Sequence, residues 1–328
     1  MAGQMDSPER ANAARIPSQV DTEFSGLMDF VKSRSVSDMR DAIKQNLRHL
    51  NDMSKPNYTA TLNYYNKYKL WGAIDPEKDV YELVDNRAAA FVEHRENFEW
   101  LYGRLGDYRS KRVLVNILYY WLLSDYERIR QITDKTFRQY FDLDLIRCDK
   151  NEVLVDVGAF VGDTMVDYAN VFGKDGYKRM YCYEIVPANI AYINKNIELF
   201  KLKNIVIRAK GASDKSGVLF LSGDAVSSTD RLSESGTIEV PTTAIDDDID
   251  EPVTFIKMDI EGAEEQALLG CRKKIRENHP KLALSAYHNH KDLWRLARII
   301  DEADPTYRFY LRYYGGDLLP TEYLLYAI

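Results

Sequence analysis

Three side chains in the second half of the chain have the chemistry to move a proton or to fix an oxygen beside a ligand: Lys257, Asp259 and His288. The first two stand two apart in Val253-Thr254-Phe255-Ile256-Lys257-Met258-Asp259-Ile260-Glu261-Gly262-Ala263-Glu264, an apolar run that ends in a turn. Spacing of two puts them on one face of a strand. A lysine inside an apolar strand is costly without a partner, and Asp259 is the partner this spacing offers. They either form a structural ion pair or serve a ligand. His288 follows a second apolar run, Leu282 to Tyr287. Imidazole titrates near neutrality, so His288 is the candidate base for taking a hydroxyl proton. Lys257 is the alternative base if burial lowers its pKa, or it orients the acceptor oxygen beside Asp259. A histidine that only holds its loop is the plain reading of His288, and His290 reads as exposed.

A binding segment precedes these groups. Val153-Leu154-Val155-Asp156-Val157-Gly158-Ala159-Phe160-Val161-Gly162-Asp163-Thr164 is an apolar run ending in an acid, then two glycines four apart, then a polar pair. The run reads as a strand buried on both faces, and the glycines allow a sharp turn and close approach to a ligand. A helix opening at Thr164 would aim its free N–H groups at that ligand. Dinucleotide sites carry a glycine where Phe160 stands, so close pyrophosphate packing is disfavoured. A carboxylate at Asp156 repels a diphosphate but suits a ligand with an ammonium and a sulfonium. S-adenosyl-L-methionine is such a ligand. The cofactor-binding candidates are therefore Asp156, Gly158, Ala159, Phe160, Gly162, Asp163 and Thr164.

Glu184 ends the next apolar run, 26 residues beyond Gly158, where adenosine-binding folds hold the ribose hydroxyls. An acid that merely opens the following helix is the competing reading. After a third strand, Ala212, Ser213 and Asp214 fall near the expected adenine, and Asp214 either accepts from the adenine amino group or caps a turn. The run Asp246-Asp247-Asp248 reads as a solvated turn. No metal is assigned; Asp259 and Glu261 are the pair most suited to one.

These groups need elements to hold them. Strands are expected at Val153–Val157, Met180–Tyr183, Ile205–Ala209, Thr254–Met258 and Leu282–Ala286, with helices such as Pro187 to Phe200 and Glu264 to about Glu277 between them. Such alternation makes a parallel sheet with crossover helices. Two aromatic-rich strands, Tyr307–Tyr314 and Tyr323–Ala327, with a turn at Gly315-Gly316-Asp317, end the chain as an antiparallel hairpin. From about Asp21 to Cys148 the pattern is helical, with no convincing strand. Met39, Ile43, Leu47 and Leu50 make one helix face, Tyr64, Tyr68 and Trp71 repeat at similar spacing, and Ser110 to Leu123 forms a further helix. The aromatic stripe either roofs a substrate pocket or packs helix on helix. The chain thus divides into a disordered lead (1–20), a helical accessory domain (21–147) and a ligand-binding α/β domain (148–328).

The set Asp156-x-Gly158-x-x-x-Gly162-Asp163-Thr164, Tyr183-Glu184, Ile256-Lys257-Met258-Asp259-Ile260-Glu261-Gly262-Ala263-Glu264 and Tyr287-His288 resembles the FkbM family of S-adenosylmethionine-dependent methyltransferases. The resemblance runs from about Tyr140-Phe141 to Ile328, and Val157 departs from it where a small residue is common. It implies a class I methyltransferase fold: Rossmann-like α/β, a mostly parallel sheet, and a C-terminal antiparallel hairpin. It also implies O-methylation of a sugar, polysaccharide or natural-product hydroxyl. A nucleotide-binding dehydrogenase is disfavoured by Phe160 and the hairpin. A scaffold without turnover is disfavoured by the intact set Asp156, Glu184, Lys257, Asp259 and His288.

Composition narrows the partners. At 328 residues, 45% hydrophobic and 29% charged, the chain can bury one large α/β core and a smaller region. Its net charge of −7 argues against nucleic acid, which needs a basic face. Its longest apolar stretch, Val113 to Leu123, is too short to span a bilayer. Cys148, Cys182 and Cys271 are widely spaced, which fits a reducing cytoplasm and neither a disulfide framework nor a zinc site. The expected partner is a small-molecule or glycan acceptor, and the helical region offers a surface for a homodimer.

Overall fold

The computed structural model describes residues 16–222, 231–233, 238–316 and 321–328. The lead expected over residues 1–20 lies outside the described residues up to residue 15, but Gln19 and Val20 already belong to a helix. Asp317 of the expected hairpin turn is also outside them.

Among the described residues, seven α-helices come first: α1 (Gln19–Lys32), α2 (Val36–Met53), α3 (Lys55–Lys67), α4 (Glu82–Glu93), α5 (Arg95–Arg104), α6 (Tyr108–Leu123) and α7 (Tyr126–Arg130). Ser18 and Ser35 start the first two through reciprocal bonds with Asp21 and Asp38, each satisfying free N–H groups of a first turn. The face Met39, Ile43, Leu47 and Leu50 is buried as its spacing requires. Contrary to the expectation of no strand here, Ile74–Asp75 (β1) and Val80–Tyr81 (β2) pair antiparallel. Pro76 and a left-handed Asp79 (φ 55°) fold the chain back between them.

The central sheet holds seven strands: β3 (Val153–Val157), β4 (Arg179–Tyr183), β5 (Ile205–Arg208), β10 (Phe255–Met258), β11 (Lys281–Ser285), β12 (Phe309–Tyr313) and β13 (Tyr323–Ala327). Their order is β12-β13-β11-β10-β3-β4-β5, and only β13 runs against the rest. Helices α8 (Asp163–Phe172), α9 (Pro187–Phe200) and α13 (Asp292–Ala303) make crossovers. Successive strands depart in opposite directions from the β3–β10 boundary, which opens a crevice at their carboxyl ends.

Two features escaped the sequence pattern. A small sheet of β6 (Gly211–Ala212), β7 (Gly217–Ser222), β8 (Arg231–Ser233) and β9 (Ile238–Thr243) follows β5. The helix expected from Glu264 to Glu277 is two, α11 (Glu264–Leu269) and α12 (Arg272–Asn278). Gly270 caps α11 at the break, and only glycine fits there, because a Cβ would stand 2.0 Å from the Ser213 carbonyl oxygen. Asp246, on the short helix α10 (Ile245–Asp248), then caps α12 by accepting from the Lys273 and Lys274 N–H groups at 2.8 Å each. The acidic run is therefore a capping and pairing device, not a solvated turn.

One apolar core continues from the helical region into the sheet. Arg312 of β12, 2% exposed, binds Asp107 and Asp142 at 2.7 Å each, and Ser110 of α6 accepts from the Leu311 N–H at 2.9 Å.

Candidate functional site

A cleft of about 330 Å³ lies at the carboxyl ends of β3 and β10, the volume of a small-molecule site. Of the residues singled out in the sequence, Gly158, Phe160, Asp163, Thr164, Glu184, Ala212, Lys257 and Asp259 line it. The turn after β3 is built as its glycines suggest, with φ 80° at Gly158 and 82° at Gly162. Both positions also need glycine for reasons internal to the protein. A Cβ on Gly158 would be 1.9 Å from the Asp259 carbonyl oxygen, and one on Gly162 would meet Met165 at 2.5 Å. Phe160, at φ 47° and 41% exposed, projects from this turn.

Asp156 does not line the cleft. It is fully buried, paired in register with Lys257, whose Nζ lies 3.0 Å from its Oδ1 and donates to the Gly158 carbonyl at 2.6 Å. Burial pushes the Asp156 carboxyl up to about 6 against the pull of Lys257. Burial would lower the Lys257 ammonium, but Asp156 and Asp259 together hold it above its usual value. The partner expected for Lys257 was Asp259; the sheet supplies Asp156 instead, because β3 and β10 lie side by side. A lysine held protonated is no base, so that role is corrected. It fixes the turn that carries Gly158.

Glu184, 7% exposed, sits at the tip of β4. Its Oε1 accepts from the Ile185 and Val186 N–H groups at 2.8 Å each, and burial outweighs these bonds to raise its pKa. Ala159 and Gly162 lie behind the cleft wall. Ser213 and Asp214 also miss the cleft: the Ser213 N–H donates to the Thr243 carbonyl of the small sheet at 2.9 Å, and its hydroxyl lies 3.2 Å from Asp214. Lys210 and Gly211 take their place at the wall.

His288 is 2% exposed and stands outside the cleft lining. Its Nδ1 is 2.8 Å from Glu264 Oε1, and its Nε2 is 3.5 Å from Asp259 and 3.6 Å from Glu261. Burial alone would lower its pKa; Glu264, Asp259 and Glu261 overcome that and push it up to about 10. An imidazole that already carries its proton cannot take another, so the general-base role is corrected too. His290 is buried rather than exposed, edge-on to Trp121 at 4.7 Å.

Glu322 and Gln139 were not among the site residues expected from the sequence. Both line the cleft, and Gln139 Nε2 donates to Glu322 at 2.7 Å. Burial, then the charge of Asp259, raises the Glu322 carboxyl above its ordinary value. Tyr140, at φ 69°, donates its hydroxyl to Asp259 at 2.7 Å, with the Lys257 ammonium 5.1 Å from its ring centre. Tyr64, Tyr68 and Trp71 do not line the cleft; they pack on one another, and Trp71 Nε1 donates to the Tyr287 carbonyl at 2.7 Å. Nothing in the local pattern around Glu322 or Gln139 marks them, because the fold brings them to the cleft from separate parts of the chain.

The charge of the cleft is lopsided. Asp163, Glu184, Asp259, Glu261 and Glu322 bring five carboxylates. Of the lining lysines, Lys257 is tied to Asp156 and Lys210 to Asp248 at 2.7 Å. Such a wall repels a pyrophosphate and draws a cation.

Residues 156–316 match the family described as the methyltransferase FkbM domain. Among solved structures, the chain is similar to methyltransferase FkbM from Methylobacillus flagellatus KT, with 28% identity and a TM-score of 0.65. The match covers 76% of this chain and 63% of that one, so the chain spans less than two thirds of that protein's length. More distant similarity is found to an rRNA methylase from Streptococcus thermophilus (14% identity, TM-score 0.39, 59% of this chain and 97% of that chain). A precorrin-6y C5,15-methyltransferase from Geobacter metallireducens GS-15 is comparable (12%, 0.39, 60% and 92%). Comparison with curated proteins gives no match. The mixed α/β fold, with its mostly parallel sheet and helical N-terminal region, is that of class I methyltransferases. Among the described residues no helix is long and apolar enough to cross a membrane.

Proposed function

Since residues 156–316 of this chain carry a methyltransferase FkbM domain, we propose that the protein transfers the methyl group of S-adenosylmethionine to a hydroxyl of a sugar, polysaccharide or natural product. The observation that carries this reading is the acid surplus of the cleft at the β3–β10 switch point. A ligand bearing an ammonium and a sulfonium complements that surplus, whereas a dinucleotide opposes it. Glu184 sits at the strand tip suited to ribose hydroxyls. When bound, with Glu184 at its ribose and the cleft carboxylates beside its cationic end, the cofactor would supply a methyl carbon activated by the sulfonium.

The chain's own part is alignment and proton removal. Glu322 takes the hydroxyl proton: it lines the cleft, and its raised pKa brings it closer to the working pH than an ordinary carboxylate. Asp259, Tyr140 and Gln139 hold the acceptor and the base in place. The acceptor identity rests on the family resemblance and on this polar wall.

Incubation with methyl-labelled S-adenosylmethionine and a panel of glycosides and polyols tests the proposal. A labelled methyl ether is expected. Glu322→Gln should lower turnover by about 10²–10⁴-fold while cofactor affinity is kept. Because the base must be ionised and its pKa lies above 4.5, wild-type turnover should climb as pH rises through that raised value. Label transferred only to nitrogen acceptors, or none with cofactor bound, would overturn the O-methylation reading.

A further inference from the structure

The acids of the cleft divide along the order of the sheet. Glu184 ends β4 and Asp163 opens α8 beyond β3, whereas Asp259 follows β10, Glu261 lies in the turn after it and Glu322 leads into β13. Under the methyl-transfer reading, a cofactor with its ribose at Glu184 lies over β3 and β4. Its ammonium, sulfonium and carboxylate sum to a single positive charge. The β10–β13 half of the cleft therefore keeps three carboxylates of its own. His288 stands behind this half, and Glu264 Oε1, 2.8 Å from its Nδ1, balances the imidazole whenever it is charged. Among the described residues neither Asp259 nor Glu322 pairs with a lysine or arginine. Their partners in the cleft are neutral: Tyr140 donates to Asp259 and Gln139 to Glu322, at 2.7 Å each. The Tyr287 hydroxyl lies between the two acids, bonded to Glu322 and 3.5 Å from Asp259. Tyr140 (φ 69°), Glu261 (φ 56°) and Glu322 (φ 65°) all hold left-handed backbone, a cost that non-glycine residues bear where side chains must be aimed.

We propose, within the methyl-transfer reading on which this rests, that the acceptor is a vicinal amino alcohol such as a 2-amino sugar. Its protonated amine seats on Asp259, with Glu261 alongside, and its neighbouring hydroxyl faces Glu322, which takes the proton. An amine and a hydroxyl on adjacent carbons need two acids side by side, and the shared Tyr287 hydroxyl sets Asp259 and Glu322 that way. Asp259 holds Tyr140 through Oδ2, while among the described residues Oδ1 meets Tyr287 and His288 only at 3.5 Å, which leaves it room for a donor. An ammonium only donates, and its bonds to a carboxylate are of the strong, charge-assisted kind. A neutral hydroxyl compound leaves these acids without a charged partner. A site built on such groups discriminates against the analogue that lacks the matching donor.

Binding to the full chain loaded with the demethylated cofactor is read by calorimetry, without turnover, in mildly acidic buffer. The probes are methyl β-glucosaminide, its N-acetyl form and methyl β-glucoside. The glucosaminide, alone in carrying a charge, is expected to bind at least about tenfold more tightly than either neutral sugar. Asp259→Asn should erase that preference and leave the glucoside bound as before, whereas a merely structural Asp259 would weaken all three alike. If Asp259→Asn fails to fold, the partly exposed Glu261→Gln should narrow the same preference. Equal affinity for the three probes, no binding of the glucosaminide, or an unchanged preference in the variant overturns the proposal. Label transfer keeps this failure apart from that of the wider reading. A labelled methyl ether formed on the neutral glucoside as readily as on the glucosaminide removes the amine seat alone. Selective glucosaminide binding with no label passed to its oxygen removes O-methylation and keeps the seat.

Discussion

Glu184 keeps its place at the end of β4 because two backbone N–H groups hold one of its oxygens, which presents the carboxylate to the cleft before any ligand arrives. If it binds the ribose, Glu184→Ala should weaken binding of the demethylated cofactor by roughly 1–3 kcal/mol, the worth of hydrogen bonds to a charged group. Calorimetry showing unchanged affinity would remove it from the site. Glu184, Gly158 and Asp259 were legible in the sequence because each ends an apolar run, and strand ends converge in an α/β fold. Glu322 was not, since its place depends on β13 inserting between β11 and β12. His288 was located but misjudged: its ordinary pKa suggested a base, while the three carboxylates around it come from the end of β10, the turn that follows and the first residue of α11, a backbone course the sequence does not reveal.

At the scale of elements, register decides the chemistry. Pairing β10 with β3 places Lys257 beside Asp156, which periodicity within a single strand cannot show. Removing one member of a buried pair strands the other, so Lys257→Met should cost about 3–5 kcal/mol in chemical denaturation. Asp156→Leu/Lys257→Met, which removes both charges, should regain most of that loss. The pH dependence has a definite sign. Without the Lys257 charge the buried Asp156 carboxyl, already raised to about 6 in the intact pair, rises further, so the variant's extra cost lies above that pH and fades as pH falls toward it. The single variant's deficit should therefore shrink on acidification. A deficit independent of pH would mean packing, not charge, is lost. The strands of the main sheet were legible from their continuous apolar runs, within a residue or two at each end. The small sheet and the α11–α12 break were not, because they rest on non-local packing, such as the close approach of Ser213 to Gly270.

For the whole molecule, the helical region and the sheet share one core, tied by Arg312 to Asp107 and Asp142 and by Trp71 to the Tyr287 carbonyl. With Trp294 of α13 replaced by Phe, the fluorescence of Trp71, Trp100 and Trp121 reports on the helical region, and circular dichroism reports on the entire chain. The two unfolding curves should coincide; separate midpoints would mean the helical region folds alone. Sequence periodicity showed that this region is helical, but its docking depends on contacts across some 200 positions, such as Ser110 with Leu311. The same assembly closes an acidic cleft over the β3–β10 switch point, and that is the central claim: a site for a cationic nucleoside cofactor. Calorimetric titration of the full chain with S-adenosylmethionine, its demethylated product and NAD tests it most directly. The account predicts saturable one-to-one binding of the first two and none of NAD; tight NAD binding with neither methyl-cycle ligand bound would contradict it.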